Sequence, residues 1–200
     1  VPAAAPAPIH LLYLHGFRSS PQSFKAQRLA AWLAGHRPEV HWWCPQLPPS
    51  PRAAMALVEN GIAGWPAGRS AVLGSSLGGF YATAVAERHG WPAVLLNPAI
   101  EPARDLAPYV GELSAFHDPR QRFDFRAEYL DELRAITPAA LTRPERYFPV
   151  IAQGDELLDW REMSARYAGS QMRVVEGSDH ALPDFEDHLP HLLKFLHLCD

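Results

Sequence analysis

Short apolar and β-branched runs alternate along this chain with longer segments whose apolar residues recur at helical spacing. That alternation is the pattern of β-α-β units around a mostly parallel sheet. The runs predict six strands: Ile9–Leu14, Val40–Cys44, Ser70–Leu73, Ala93–Leu96, Tyr147–Ala152 and Met172–Val175. Between them, Ser20 followed by Pro21 reads as an N-cap with proline in the first helical position, opening a helix that runs through Trp32 and Leu33. Further helices are expected over Arg52–Ile62, Leu77–His89, Arg161–Tyr167 and Pro183–Leu198. On the last of these, Leu189, Leu192, Leu193 and Leu196 form a core-facing stripe, which puts its histidines on the other side. The expected class is α/β: a minimal, mostly parallel six-stranded sheet with helices on both faces.

The segment from Glu101 to Arg143 breaks the alternation. It shows no strand signal, several prolines and the aromatics Tyr109, Phe116, Phe123, Phe125 and Tyr129, and reads as a short helical cap insertion. Asp124 is placed to cap a helix bearing Phe125, Tyr129, Leu130, Leu133 and Ile136, ended by Thr137 and Pro138. The aromatics suit either gripping a substrate or covering the sheet edge. No internal repeat or linker divides the chain, so one domain over residues 1–200 is expected, with residues 1–8 as a flexible Ala/Pro-rich tail. That tail has neither the charged nor the apolar region of a signal peptide.

Composition narrows the function classes. The chain is 48% hydrophobic and 20% charged with a formal net charge of −4, which leaves no basic excess to hold nucleic acid or an anionic membrane face. No apolar run reaches the roughly 18 residues that a membrane span needs. Small-molecule chemistry in the cytoplasm is the default expectation. Cys44 and Cys199 match neither a CxxC pair nor a zinc-ligand spacing, so two free thiols are the simplest reading; a disulfide between them would suit only an exported chain.

The most informative stretch is Ala71-Val72-Leu73-Gly74-Ser75-Ser76-Leu77-Gly78-Gly79, where an apolar strand runs into G-x-S-x-G and then into a helix. This is a nucleophile elbow, a turn so tight that glycine is needed two positions either side of the serine. Spacing selects Ser76 over Ser75, because only Ser76 is centred between Gly74 and Gly78. A serine hydroxyl needs a base to take its proton, and the base needs a carboxylate to fix its tautomer. The expected chain order is Ser, then Asp or Glu, then His. Asp155 follows the strand ending at Ala152, and His180 follows the strand ending at Val175, so both sit past strand ends. Glu156 and Asp159 share the loop with Asp155; Asp155 is preferred, and Asp159, which could equally cap the next helix, is the main rival. His89 is better explained as favourable charge at a helix C-terminus.

An acyl-transfer site also needs donors aimed at the developing oxyanion. The elbow offers the Leu77 N–H, and the loop after the first strand, Leu14-His15-Gly16-Phe17, offers the Phe17 N–H. His15 then shapes the loop or is a satisfied buried histidine. Arg18 could meet a charged part of the substrate or simply be solvated.

Together, Tyr13-Leu14-His15-Gly16-Phe17-Arg18-Ser19-Ser20-Pro21, Gly74 to Ala82, Asn97-Pro98-Ala99, Gly154-Asp155-Glu156 and Asp179-His180-Ala181 resemble the YqiA-type bacterial esterases of the α/β-hydrolase superfamily over nearly the whole chain. The resemblance implies a single-domain hydrolase acting on acyl esters, and also on acyl-CoA thioesters, without a cofactor. Ser76, Asp155 and His180 fall on the family's triad positions, and the segment 101–143 matches it least. A serine peptidase would use the same triad. A catalytically silent ligand-binding protein of this fold is opposed by the complete set of triad candidates. Asp184, Asp187, His188 and His191 lie at helical spacings that prompt a metal hydrolase, but without an H-E-x-x-H motif, so no metal site is expected.

Overall fold

The computed structural model describes residues 6–199, so residues 1–5 of the expected 1–8 tail lie outside the described residues. In chain order the strands are β1 (His10–Leu14), β2 (His41–Trp43), β3 (Ser70–Ser75), β4 (Ala93–Leu96), β5 (Gly111–Ser114), β6 (Arg122–Phe125), β7 (Tyr147–Ala152) and β8 (Arg173–Val175). The helices are α1 (Phe24–His36), α2 (Pro51–Ile62), α3 (Leu77–His89), α4 (Pro102–Asp105), α5 (Glu128–Ile136), α6 (Trp160–Arg166) and α7 (Phe185–Phe195). Six strands form one sheet in the order β2-β1-β3-β4-β7-β8, with every neighbouring pair parallel.

Side chains on successive strand residues point to opposite faces, and both faces are covered. Leu12 and Leu14 of β1 pack with Met55 and Val58 of α2, Phe80 and Val85 of α3 and Leu133 of α5. Leu11 and Tyr13 pack with Leu29 and Leu33 of α1 and Leu189, Leu192 and Leu193 of α7. Burial on both sides is why the strands read as continuous apolar runs, and each fully buried aliphatic side chain contributes about 1.5–3 kcal/mol. The chain moves from β1 outward to β2, then crosses back to β3 on the other side of β1. The strand order reverses there, and in open α/β sheets the crevice at such a reversal, beyond the carboxyl ends of the strands, receives the ligand.

Three expectations are corrected. Helix α1 starts at Phe24, not at Pro21, because the Ser20 hydroxyl accepts the Gln22 N–H and its carbonyl accepts the Ser23 N–H, closing a separate turn first. On the terminal helix His188 is buried at 3% exposure, not turned outward. It lies three residues after Phe185 and four before Leu192, which places it on the apolar stripe. Finally, the segment between β4 and β7 does contain strands: β5 and β6 form an antiparallel hairpin pairing Glu112 with Asp124 and Leu113 with Phe123. Asp124 is therefore a strand residue, and α5 begins four residues later. The signal was present as a period-two alternation, Arg-Phe-Asp-Phe over β6, but at four residues it was too short to stand out. A cross-strand ion pair, Arg122 to Glu112 at 2.6 Å, lies on its outer face.

Cys44 and Cys199 are both free, Cys199 exposed and Cys44 half-buried. Among the described residues no helix is long and apolar enough to cross a membrane. Leu133, fully buried, joins the segment between β4 and β7 to the main core. Leu133→Ala should therefore lower unfolding free energy by about 2–5 kcal/mol in urea titration; a loss under about 0.5 kcal/mol would mean that this segment packs independently of the sheet.

Candidate active site

The elbow is built where β3 meets α3. Ser76 is held at φ 56°, ψ −121°, a region that costs a non-glycine residue about 1–3 kcal/mol. Its backbone is fastened on both sides: its N–H donates to Leu96 O at 2.9 Å, and its carbonyl accepts the N–H groups of Gly79 at 2.9 Å and Ala99 at 3.0 Å. A Cβ on Gly74 would lie 2.1 Å from Gly78 O, and one on Gly78 would lie 1.9 Å from Leu14 O. Backbone contact at these two points leaves room for no side chain.

Ser76, His180 and Asp155 form one hydrogen-bonded line. His180 Nε2 lies 3.1 Å from Ser76 Oγ, and His180 Nδ1 lies 2.8 Å from Asp155 Oδ2. An ionised carboxylate only accepts, so Nδ1 carries the proton and Nε2 is the acceptor facing the Ser76 hydroxyl. The Asp155 side chain has 0% exposure. Its Oδ1 accepts the N–H groups of Leu157 and Leu158, both at 2.9 Å, which leaves Oδ2 for the imidazole.

The neighbouring carboxylates are placed differently. Glu156 Oε2 accepts the backbone N–H of His180 at 3.1 Å, and Asp159 caps α6 by accepting the Arg161 N–H at 2.8 Å. Of the terminal histidines, His191 and His197 are exposed, and His188 donates from Nε2 to Asp184 at 3.1 Å. Asp184 in turn accepts the Ser178 hydroxyl, so this pair braces the loop that carries His180. Among the described residues no three His, Cys, Asp or Glu side chains group as a metal ion would require. His89 sits at the end of α3 as expected, with its ring bonded to Glu59 at 2.7 Å.

The loop after β1 runs against Ser76. A Cβ on Gly16 would meet Ser76 Cβ at 3.3 Å and Oγ at 3.8 Å, so the backbone leading to the Phe17 N–H passes beside the hydroxyl. Among the described residues neither the Phe17 nor the Leu77 N–H has an acceptor within the protein. Both residues line a cleft of about 340 Å³, together with Leu47, Pro48, Tyr81, His117, Gln121 and Phe123. That volume is at the lower end of small-ligand cavities. Arg18 also lines the cleft, but its guanidinium is engaged: Nε donates to Ser114 O at 2.7 Å, and the group stacks 4.1 Å from the Phe116 ring centroid.

Two residues do more than their sequence patterns indicated. His15 is buried; its Nδ1 donates to Gly16 O at 2.9 Å and its Nε2 accepts the Leu47 N–H at 3.0 Å, tying the β1 loop to the loop after β2. Asn97, buried and at φ 43°, accepts the Ala152 N–H at 2.8 Å and donates to the carbonyls of Asp179 at 3.0 Å and His180 at 3.2 Å. One amide thus joins the end of β7, just before Asp155, to the His180 loop. The available signal was a polar amide directly past an all-apolar strand at the sheet's carboxyl edge.

The sequence model of the uncharacterised protein family UPF0227 matches residues 10–197. Among solved structures the chain is similar to mouse alpha/beta hydrolase domain-containing protein 10, at 14% identity over 94% of this chain and 90% of that one, with a TM-score of 0.66. It is similar to a structure of the metagenome-derived lipolytic enzymes LipS and LipT, at 16% identity over 96% and 95%, TM-score 0.69. A Paleococcus ferrophilus monoacylglycerol lipase matches at 15% identity over 95% of each chain, TM-score 0.63. At these identities the likeness establishes the α/β-hydrolase fold.

Two measurements probe the braces around the site. Asn97→Ala leaves buried backbone groups unpaired and should cost about 1–3 kcal/mol in urea unfolding. Burial holds the His15 imidazole below its ordinary 6.5. Unfolded His15 then binds its proton at higher pH than folded His15, so its contribution to stability is complete above about 6.5 and is lost as pH falls toward the folded value. His15→Gln should therefore lose less stability than the wild type between about pH 7.5 and 5.5; equal losses would exclude His15 as a source of acid sensitivity.

Proposed function

The chain belongs to the UPF0227 family, the YqiA-type group, and we propose that on this α/β-hydrolase fold it is a serine hydrolase of carboxylic esters and acyl-CoA thioesters. The observation that carries the proposal is the line from the Ser76 hydroxyl through the His180 imidazole to the buried Asp155 carboxylate. Ser76 Oγ attacks the carbonyl carbon as His180 Nε2 takes its proton, and Asp155 holds the tautomer and stabilises the imidazolium. The tetrahedral oxyanion is received by the Phe17 and Leu77 N–H groups, which have no acceptor among the described residues. His180 then gives the proton to the leaving alcohol or thiol, leaving an acyl-Ser76. Water activated by the same imidazole releases the acid and regenerates the serine.

The mostly apolar walls of the cleft, Leu47, Pro48, Leu77, Tyr81 and Phe123, suit an acyl chain beside the oxyanion donors. The lipases among similar structures support the ester class. Its substrate is thus a small-molecule acyl ester or thioester, and the segment 101–143, which supplies Phe123, Gln121 and His117, acts as the cap that shapes its site.

A fluorophosphonate probe should label Ser76, and Ser76→Ala should abolish both labelling and ester turnover. Asp155→Asn should lower kcat by about 10³–10⁴, whereas Asp159→Asn should change it less than about threefold. Unlabelled wild-type protein, or equal labelling of Ser76→Ala, would refute the mechanism. A larger kcat loss for Asp159→Asn than for Asp155→Asn would reassign the acid.

A further inference from the structure

Phe17 contributes a backbone donor to the site, yet its side chain belongs to another part of the molecule. The ring packs edge-on against Phe125 at 5.0 Å, Phe123 at 6.2 Å and Tyr109 at 6.0 Å between centroids, all three in the segment between β4 and β7. The next residue, Arg18, is bound to the same segment from three directions. Its Nε donates to Ser114 O at 2.7 Å, its guanidinium lies 4.1 Å from the Phe116 ring centroid, and its carbonyl accepts the Phe116 N–H at 2.8 Å.

These contacts act on a turn. Ser19 N donates to Gly16 O at 3.2 Å, which makes Phe17 and Arg18 the two central residues of a β-turn, and Arg18 sits there at φ 60°. A positive φ at the third position of a turn is natural for glycine and strained for arginine. The hairpin grips the strained residue.

We infer that the β5–β6 hairpin is part of the catalytic apparatus: through Arg18 and the Phe17 ring it holds the left-handed turn that aims the Phe17 N–H at the oxyanion. This rests on the proposed esterase reading. It makes Arg18 a positioning residue, acting through the backbone of its neighbour, and not a group that meets a charged substrate. The cap and the oxyanion donor move as one body, so displacement of the hairpin lowers turnover of every ester, including one too small to touch it.

The test compares kcat and KM on an acetyl ester, whose acyl group has only two carbons, and on an octanoyl ester, for the wild type, Arg18→Ala, Arg18→Gly and Phe116→Ala. Phe116 is 68% exposed and lies outside the cleft lining, and its ring is in contact with the Arg18 guanidinium, which makes it the probe of that grip. Arg18→Ala should lower kcat on the acetyl ester by at least about tenfold with little change in KM, since loss of an oxyanion donor costs about 10²–10³ and misplacement a fraction of that. Arg18→Gly, which adopts the left-handed turn without strain, should recover kcat to within about threefold of the wild type. Phe116→Ala should lower kcat about threefold, and should add nothing in the Arg18→Gly background. Equal kcat for Arg18→Ala and Arg18→Gly, or wild-type kcat on the acetyl ester with losses confined to octanoyl KM, would overturn the inference. If Arg18→Ala does not fold, Phe116→Ala and Arg18→Gly decide it. A wild type that hydrolyses neither ester instead refutes the esterase reading itself.

Discussion

The close approach of two backbones, Gly78 against the Leu14 carbonyl and Gly74 against the Gly78 carbonyl, is the contact on which the site depends. It lets α3 start directly on the end of β3, and it brings the end of β1 within reach of the same turn. Ser76 is forced into a left-handed conformation that no local preference would choose. The cost is offset by hydrogen bonds from its backbone to Leu96, Gly79 and Ala99, which hold the turn from both sides. A hydroxyl on such a turn stands clear of the sheet, with the first N–H of α3 beside it.

The other groups are brought to that hydroxyl by loops from β1, β7 and β8, and loops alone would not hold them to within a hydrogen bond. The structure supplies polar clips. Asn97 joins β7 to the His180 loop, His15 joins the β1 loop to the loop after β2, and Glu156 holds the backbone of His180. Asn97 and His15 each spend a buried polar side chain on backbone groups that would otherwise be unpaired, and the exposed Glu156 adds a bond from the surface. The result is a set of loops whose mutual positions are fixed by directional bonds, as preorganised catalysis requires.

The segment between β4 and β7 stands apart from this design in sequence and joins it in space. Its hairpin supplies one wall of the cleft and packs on the Phe17 ring, so it touches the loop after β1. On the proposed esterase reading, selection of the acyl group and support of the oxyanion donor share the same contacts. On that reading, changes in this hairpin alter specificity and rate together.

The six strands of the main sheet, most helix positions and the elbow were legible in the sequence because each follows from short-range rules: side-chain period, proline and glycine sterics, and the order of strand ends in a parallel sheet. Ser76, Asp155 and His180 could be named as candidates on those rules alone. The hairpin was not legible, since two four-residue strands with charged outer faces carry too little pattern. Nor were the inward turn of His188 or the engagement of Arg18 by the hairpin; the sequence favours Asp155 by its place in the loop, but what Glu156 and Asp159 bind instead, the His180 backbone and the start of α6, is set by tertiary contacts. Those outcomes depend on contacts between residues such as Ser76 and His180, 104 positions apart, or Arg18 and Ser114, 96 apart. Local sequence determines what each segment can do; which partner a side chain finds is decided only when packing of the layers brings distant loops to the same edge of the sheet.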